Sequence, residues 1–513
     1  MRQIYATPTS HRSYLAILWL VSITLLGLAL RVWAIGAKGL WLDEAFSIWM
    51  ARQPLGDLLG WIVRIDQHPP LYYVLLHGWL ALSDSEGWVR SLSAIFSTTT
   101  IPLFYGFVRT LAGGRAGLIA ALLLAVAPFH VRFAQEARMY ALLTFAVAGA
   151  LLCLAWLMTG EGRGARGEGR PRWRQRLAWI GYVLFTVAAL LTHNTALFLP
   201  VAINLYVLGL MGWRRGSGDG QRQLETPRLR SWLAAQLAVV VLWLPWSVAF
   251  VRQSIGVYAQ FWITAPTAQT VLDTLLVFAT GGFSNAWIMP GWVWLIFGAL
   301  FVLGVAALRT QPALLALLLT LWLTPFVGEW LVSLRRPIFY DRTLIWASLP
   351  LYTILAIGVV ALRRKLVIAV VLGGLVIAQL LSLHSYYRDF RKEEWREAAA
   401  YAAQHFQPGD LLLFNATWVQ IPFDYYFDRA GIAAERHGAP ADLFAAGVLE
   451  PIMGVADVPR LNTLLDDRAR VWLIYSHDWY TDPQQLIPAT LQSEFTLLDR
   501  QPVEGLELRL YAR

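Results

Sequence analysis

Four groups of residues in this sequence have types and spacings that could do chemistry. The first is Asp43-Glu44, two adjacent carboxylates inside the apolar stretch Gly39 to Ser47. Carboxylates among apolar residues near a membrane are costly unless they are used or paired. Desolvation and a second nearby charge both push a carboxyl's pKa upward. Such an acid can act as a general base toward a hydroxyl or amine. The structural alternative is an interfacial helix whose acids face water. The second group is Asp66-Gln67-His68-Pro69-Pro70-Leu71. The two prolines suit the first turn of a helix, which sets His68 beside that helix's N-terminus. A satisfied structural histidine is the alternative, and a lone His among scattered acids is weak evidence for a metal ligand.

The third group runs from His130 through Gln135, Glu136 and Arg138 to Tyr140. Glu136 and Tyr140 are four apart, so a helix would place them on one face and aim Arg138 elsewhere. The connection is too short to be a free loop, which keeps these groups at the membrane surface. The fourth group is Arg335, Arg336, Tyr340, Asp341 and Arg342. The guanidinium fork matches phosphate oxygens, and a lipid phosphate is a suitable partner for these cations. Pairing of Asp341 with a neighbouring Arg, or plain headgroup contact, is the alternative.

The elements that must position these groups are membrane spans. The 513-residue chain is 57% hydrophobic and 15% charged, with 25 Trp. Its apolar residues come in runs of the length needed to cross a bilayer, and many Trp mark the run ends. Eleven spans are expected, near 14–35, 88–110, 115–132, 138–159, 177–192, 195–212, 232–250, 291–308, 312–332, 344–361 and 366–383. The short segment 71–82 reads as interfacial or re-entrant. The first run exceeds an ordinary signal-peptide core and is read as a span rather than a cleaved leader.

With a cytoplasmic N-terminus, every loop expected inside is basic. One carries Arg163, Arg166, Arg170, Arg172, Arg174 and Arg176, and another carries Arg214, Arg215, Arg222, Arg228 and Arg230. Arg109, Arg115, Arg309 and Arg363-Arg364-Lys365 mark the rest. The four chemical groups then fall on the opposite, extracytoplasmic side of a plasma (inner) membrane. The arginines near 335–342 break the charge rule, which suggests that they have another use.

The net charge of +9 lies mostly in those loops, so nucleic acid is not an expected partner. The single cysteine, Cys153, excludes an internal disulfide and a Cys-based metal site. No Gly-rich nucleotide loop is present in a strand–helix setting. After about residue 385 the chain reads as a soluble α/β domain. Residues 393–406 have helical spacing, while Leu411–Phe414 and Val471–Tyr475 read as strands. The expected domains are therefore 1–385 within the membrane and 386–513 outside it.

Taken in this order on this topology, the motifs resemble the GT-C superfamily of membrane glycosyltransferases. They are most similar to its protein O-mannosyltransferase and lipid A aminoarabinose transferase branch (glycosyltransferase family 39 type). The motifs are Asp43-Glu44, His68-Pro69-Pro70-Leu71, Gln135-Glu136-Ala137-Arg138-Met139-Tyr140, Thr192-His193-Asn194 and Arg342. The resemblance covers about residues 10–385. It implies an α-helical polytopic GT-C-like membrane protein that takes a mannose-like or aminoarabinose-like sugar from a polyprenyl-phosphate donor.

The acceptor would be an extracytoplasmic lipid, glycan or protein, and the transfer would invert the anomeric centre. By this pattern Asp43 matches the base, with Glu44 and Glu136 as supporting acids. Arg342 matches the position near the donor phosphate, with Arg138, Arg335 and Tyr340 as further donor-site residues. His68, Tyr140 and His193 complete the set. The family pattern places Tyr directly after the last Arg, whereas here Thr343 follows Arg342 and Tyr340 precedes it. A divalent cation bridging a carboxylate and the phosphate is compatible with the reading, and no cofactor is required by it. The other readings are a flippase or transporter of a lipid-linked sugar, and an oligosaccharide polymerase or ligase. A transporter would place ionisable groups deep within broken spans.

Overall fold

The computed structural model describes residues 9–159, 172–216, 224–256, 265–283, 292–445 and 451–513. The middle of each of the two longest basic loops, including Arg163, Arg166, Arg170 and Arg222, lies outside the described residues. So does part of the segment expected outside near 251–290. The chain forms two compact units. One contains residues 1–33, 68–72 and 90–389, and the other contains residues 34–67, 73–89 and 390–513.

The first unit is helical. Among the described residues, eight helices are long and apolar enough to cross a membrane, or nine if one bent pair counts as a span. The chain is a multi-pass membrane protein. Each of the eleven expected segments coincides with a helix. Three of those helices fall outside the eight: the bent pair, the Arg172–Leu190 helix and the short apolar Trp292–Leu308 helix. Burial sorts the spans by role. Tyr140–Thr159 and Ser348–Ala361 are almost wholly covered by neighbouring helices. Leu229–Gly256 instead exposes Leu233, Leu237, Val241, Leu244 and Val248, a face suited to acyl chains.

Without a hydrophobic difference between lipid and side chain, helix association depends on close packing. Helices Trp292–Leu308 and Ser348–Ala361 meet at glycines. A Cβ on Gly358 would lie 2.1 Å from the Leu300 carbonyl oxygen, and one on Gly304 would lie 2.2 Å from that of Ile354. Both obstacles are backbone and cannot rotate away. Gly358→Ala is therefore expected to destabilise the fold by roughly 1–3 kcal/mol, the usual cost of overpacking. A lower midpoint of thermal aggregation in detergent would show it, and an unchanged midpoint would count against this crossing.

The expected single span 115–132 is a bent pair. Helix Gly114–Val126 meets helix Pro128–Ala134 at 58°. Pro128 supplies no N–H and opens the second helix at its first turn, so the hydrogen-bond ladder breaks there. The short helix ends at Gln135, whose amide donates to the carbonyls of Arg31 (3.0 Å) and Trp33 (2.7 Å). Residues 135–139 form a turn, and the next helix starts at Tyr140. Glu136 and Tyr140 therefore do not share a helix face, contrary to the reading from their spacing.

The second unit is built on a five-stranded sheet: β1 (Leu411–Asn415), β2 (Glu435–Ala439), β3 (Arg470–Tyr475), β4 (Thr496–Val503) and β5 (Leu506–Ala512). Their order is β2-β1-β3-β5-β4. β1 pairs in parallel with β2 and β3, and β5 runs antiparallel to β3 and β4. Alternate residues of the central strands face opposite layers. Leu412, Phe414, Trp472 and Ile474 enter one core, while Leu411, Leu413, Val471 and Leu473 enter the other. The first core also packs Leu42. That contact ties the helix carrying the acidic pair to the sheet domain.

Candidate active site

In the second unit, helix Leu42–Arg52 opens after an extended Trp41 with no cap from its own side chains. Asp43 and Glu44 occupy its first turn, where carboxylates complement the helix dipole. Glu44 is wholly buried, and the Lys392 ammonium lies 2.9 Å from its Oε2. Asp43 is only half-buried.

The missing cap comes from another part of the chain. Glu393 Oε2 accepts the Leu42 N–H at 3.0 Å and the Trp395 indole N–H at 2.6 Å. Its Oε1 lies 3.5 Å from His477 Nε2. Burial pushes the Glu393 carboxyl above its ordinary pKa, the nearby Asp43 charge adds to that push, and His477 opposes it. Upstream, the Tyr426 hydroxyl accepts the Leu40 N–H at 2.7 Å and donates to Glu86.

In the first unit, several predicted residues meet. The rings of His68 and His193 lie 5.4 Å apart, and His193 lies 5.9 Å from Tyr140. The Arg342 guanidinium lies 5.7 Å from the Tyr140 ring centre and 4.8 Å from that of Tyr340. Guanidinium over an aromatic face is a favourable arrangement. His193 Nδ1 accepts the Thr195 N–H, so the neutral ring carries its proton on Nε2.

Glu136 is fully buried and accepts from Arg132 Nε at 3.2 Å. Asp341 lies within the fields of Arg132, Arg342 and Glu136. Arg138 is buried in the turn, and its carbonyl accepts from Ser93. Arg335 is exposed beyond the Pro312–Ser333 helix.

Sequence reasoning passed over three features. Lys392 and Glu393 are ordinary charged residues until the fold brings them to residues 42–44. Arg132 lay in the third group without a role and is now the partner of Glu136. Glu329 stands in a run otherwise read as a plain span, and a lone carboxylate there was a usable signal. It is buried and accepts from Thr343 Oγ1 at 2.7 Å, within one residue of Arg342. Among the described residues, no group of three or more His, Cys, Asp or Glu side chains converges; an ion bridging a carboxylate and a substrate phosphate needs only one or two protein carboxylates.

The fold decides the comparison with known proteins. A crystal structure of ArnT from Cupriavidus metallidurans in the apo state superposes with a TM-score of 0.64 at 14% identity, covering 97% of this chain and 98% of that one. The chain shares the fold of ArnT. The same ArnT bound to undecaprenyl phosphate matches with a TM-score of 0.61 at 14% identity, over 96% and 98% of the two chains. An archaeal oligosaccharyltransferase, AglB from Archaeoglobus fulgidus in complex with an inhibitory peptide and a dolichol-phosphate, matches at 0.57 and 12% identity, over 98% and 74%. Residues 67–246, about a third of the chain, match the family model of dolichyl-phosphate-mannose-protein mannosyltransferases. No curated protein matches in sequence. The matched family model is one of sugar transferases.

Proposed function

We propose that this protein transfers a sugar from a polyprenyl-phosphate donor to an extracytoplasmic lipid, glycan or protein acceptor, by one inverting displacement with Asp43 as base. The observation that carries this reading is the division of labour in the acidic pair. Glu44 is wholly buried with the Lys392 ammonium 2.9 Å from its Oε2, and its neighbour Asp43 is only partly buried on the first helical turn. Consecutive helical residues point about 100° apart, so one acid can anchor while the other meets an acceptor. Two solved proteins of the same fold hold undecaprenyl phosphate and dolichol-phosphate, which supports a lipid-phosphate donor.

In the step, the acceptor oxygen or nitrogen attacks the anomeric carbon and gives its proton to Asp43. The bond from that carbon to the phosphate oxygen breaks, and the phosphate leaves with the electron pair. Fixed cations stabilise the charge that builds there. Arg342 is assigned to this task, with help from Arg138 or Arg335. Tyr340 belongs to the same donor site. Glu136 is a supporting acid, and His68, Tyr140 and His193 are further residues of the site.

The membrane is read as the plasma (inner) membrane, with a cytoplasmic N-terminus and the soluble domain, residues 386–513, outside. Buried ionisable groups support surface chemistry over passage of substrate. Arg31, Arg90 and Glu329 all lie within two turns of a helix end. The alternating count assigns those three ends to one face. A reporter fused after Arg513 is expected to be extracytoplasmic, and one within 213–231 cytoplasmic. A cytoplasmic C-terminus would remove the soluble domain from the reaction.

The donor site has its own test. Arg342→Ala is expected to weaken binding of a polyprenyl-phosphate sugar at least about tenfold, since charge-assisted bonds to phosphate are the strong ones. Arg336→Ala is expected to cost less, because Arg342 is the position that the resemblance sets near the donor phosphate, and it lies over the Tyr140 and Tyr340 rings. Parent-like donor affinity in both variants would place the phosphate elsewhere.

A further inference from the structure

We propose that Glu393, acting with its neighbour Lys392, is a positioning residue through which the sheet domain holds the acidic pair in its working geometry. The inference rests on the reading of Asp43 as base and adds the part of the chain that aims it.

The first four N–H groups of a helix have no partner within it. Helix Leu42–Arg52 begins with Trp41, which offers no capping oxygen. The carboxylate that accepts the Leu42 N–H belongs to Glu393, some 350 residues downstream. Lys392, the adjacent residue, grips Glu44. Two consecutive residues thus hold both ends of the first turn, with Asp43 between their contact points.

Glu393 is itself held from several sides. The Trp395 indole N–H and His477 bind its two oxygens. The β4–β5 turn closes over it: Gly505 has φ +80°, and a Cβ there would lie 2.8 Å from Glu393 Cγ. The Glu394 N–H donates to the Glu504 carbonyl in the same turn. His477 is fixed in turn by Ser476 Oγ at 2.9 Å from its Nδ1 and by the Trp418 ring. The titratable groups around Glu393 are therefore Asp43, His477 and, one residue away, the Lys392–Glu44 pair.

The geometry separates two duties of Glu393. It accepts a hydrogen bond, which an amide oxygen can also do, and it places a negative charge beside Asp43, which an amide cannot. Glu393→Ala removes both, while Glu393→Gln removes only the charge. The full-length protein in detergent is assayed for kcat, donor KM and the pH profile of kcat, and for hydrogen exchange of the peptide containing residues 42–45. Glu393→Ala is expected to lower kcat about tenfold or more with donor KM within about twofold, and to speed exchange at the helix start about tenfold. Losses of this size follow from displacing a positioned catalytic group. Glu393→Gln is expected to restore most of kcat and slow exchange again. Its acid limb should move to lower pH, because removing a neighbouring negative charge makes Asp43 easier to ionise.

Parent-like kcat and parent-like exchange in Glu393→Ala would overturn the proposal. So would a Gln variant no better than Ala in a protein whose melt is unchanged. The exchange arm does not depend on the choice of base. If Asp43→Asn turns over like the parent, the base reading fails, and exchange at residues 42–45 still decides whether Glu393 holds the helix.

Discussion

Asp43→Asn is expected to insert, fold and bind donor like the parent, while turnover falls at least about a hundredfold. Asparagine keeps the shape of the side chain and removes its basicity, and a positioned general base contributes about 10²–10⁴-fold. The partly buried place of Asp43 makes this substitution milder for the fold than one at the wholly buried Glu44. Steady-state transfer and donor affinity, measured on the same preparation, separate a lost base from a lost site. If Asp43→Asn turns over normally and Glu44→Gln is dead in a protein of unchanged stability, the two roles are exchanged. If both variants stay active, the pair is structural and Glu136 becomes the acid to test.

The second large effect concerns the buried pair of Glu44 and Lys392. Their side chains are almost entirely out of solvent, so removing one partner leaves the other charge buried without this counter-ion. Lys392→Met is expected to destabilise the second unit by roughly 3–5 kcal/mol, the usual cost of breaking a buried ion pair. Adding Glu44→Gln to it should recover much of that loss, since the pair is then replaced by groups without charge. A thermal melt of the single and double variants reads this directly. Additive losses would mean that the two residues do not depend on each other.

How much of this was legible depends on the range of the interaction. The spans followed from apolar runs, and β1 and β3 from short apolar segments bounded by turn residues. The joint of the bent pair was written locally at Pro128, but a hydropathy window averages over one residue and returned a single span. The turn at 135–139 was not written locally. Gln135 is fixed by carbonyls of Arg31 and Trp33 and by the Tyr386 hydroxyl, 251 residues away.

The same holds for the site. Spacing and resemblance selected His68, Tyr140, His193 and Arg342, which the fold does bring together in one unit. The partners of Leu42 and Glu44 lay beyond the last span, among charged residues that looked like a solvated surface. Nothing near residue 42 announces that its helix is capped by residue 393. Glu329 was the opposite case, because its signal was local and strong.

The central claim is sugar transfer from a lipid-phosphate donor. The direct measurement presents the purified protein, reconstituted in liposomes, with synthetic polyprenyl-phosphate sugars and candidate acceptors. The account predicts glycosylated acceptor with inverted anomeric configuration, one free polyprenyl phosphate per transfer, and loss of both products in Asp43→Asn. Movement of the intact lipid-linked sugar across the bilayer, with no bond to the phosphate broken, would contradict it.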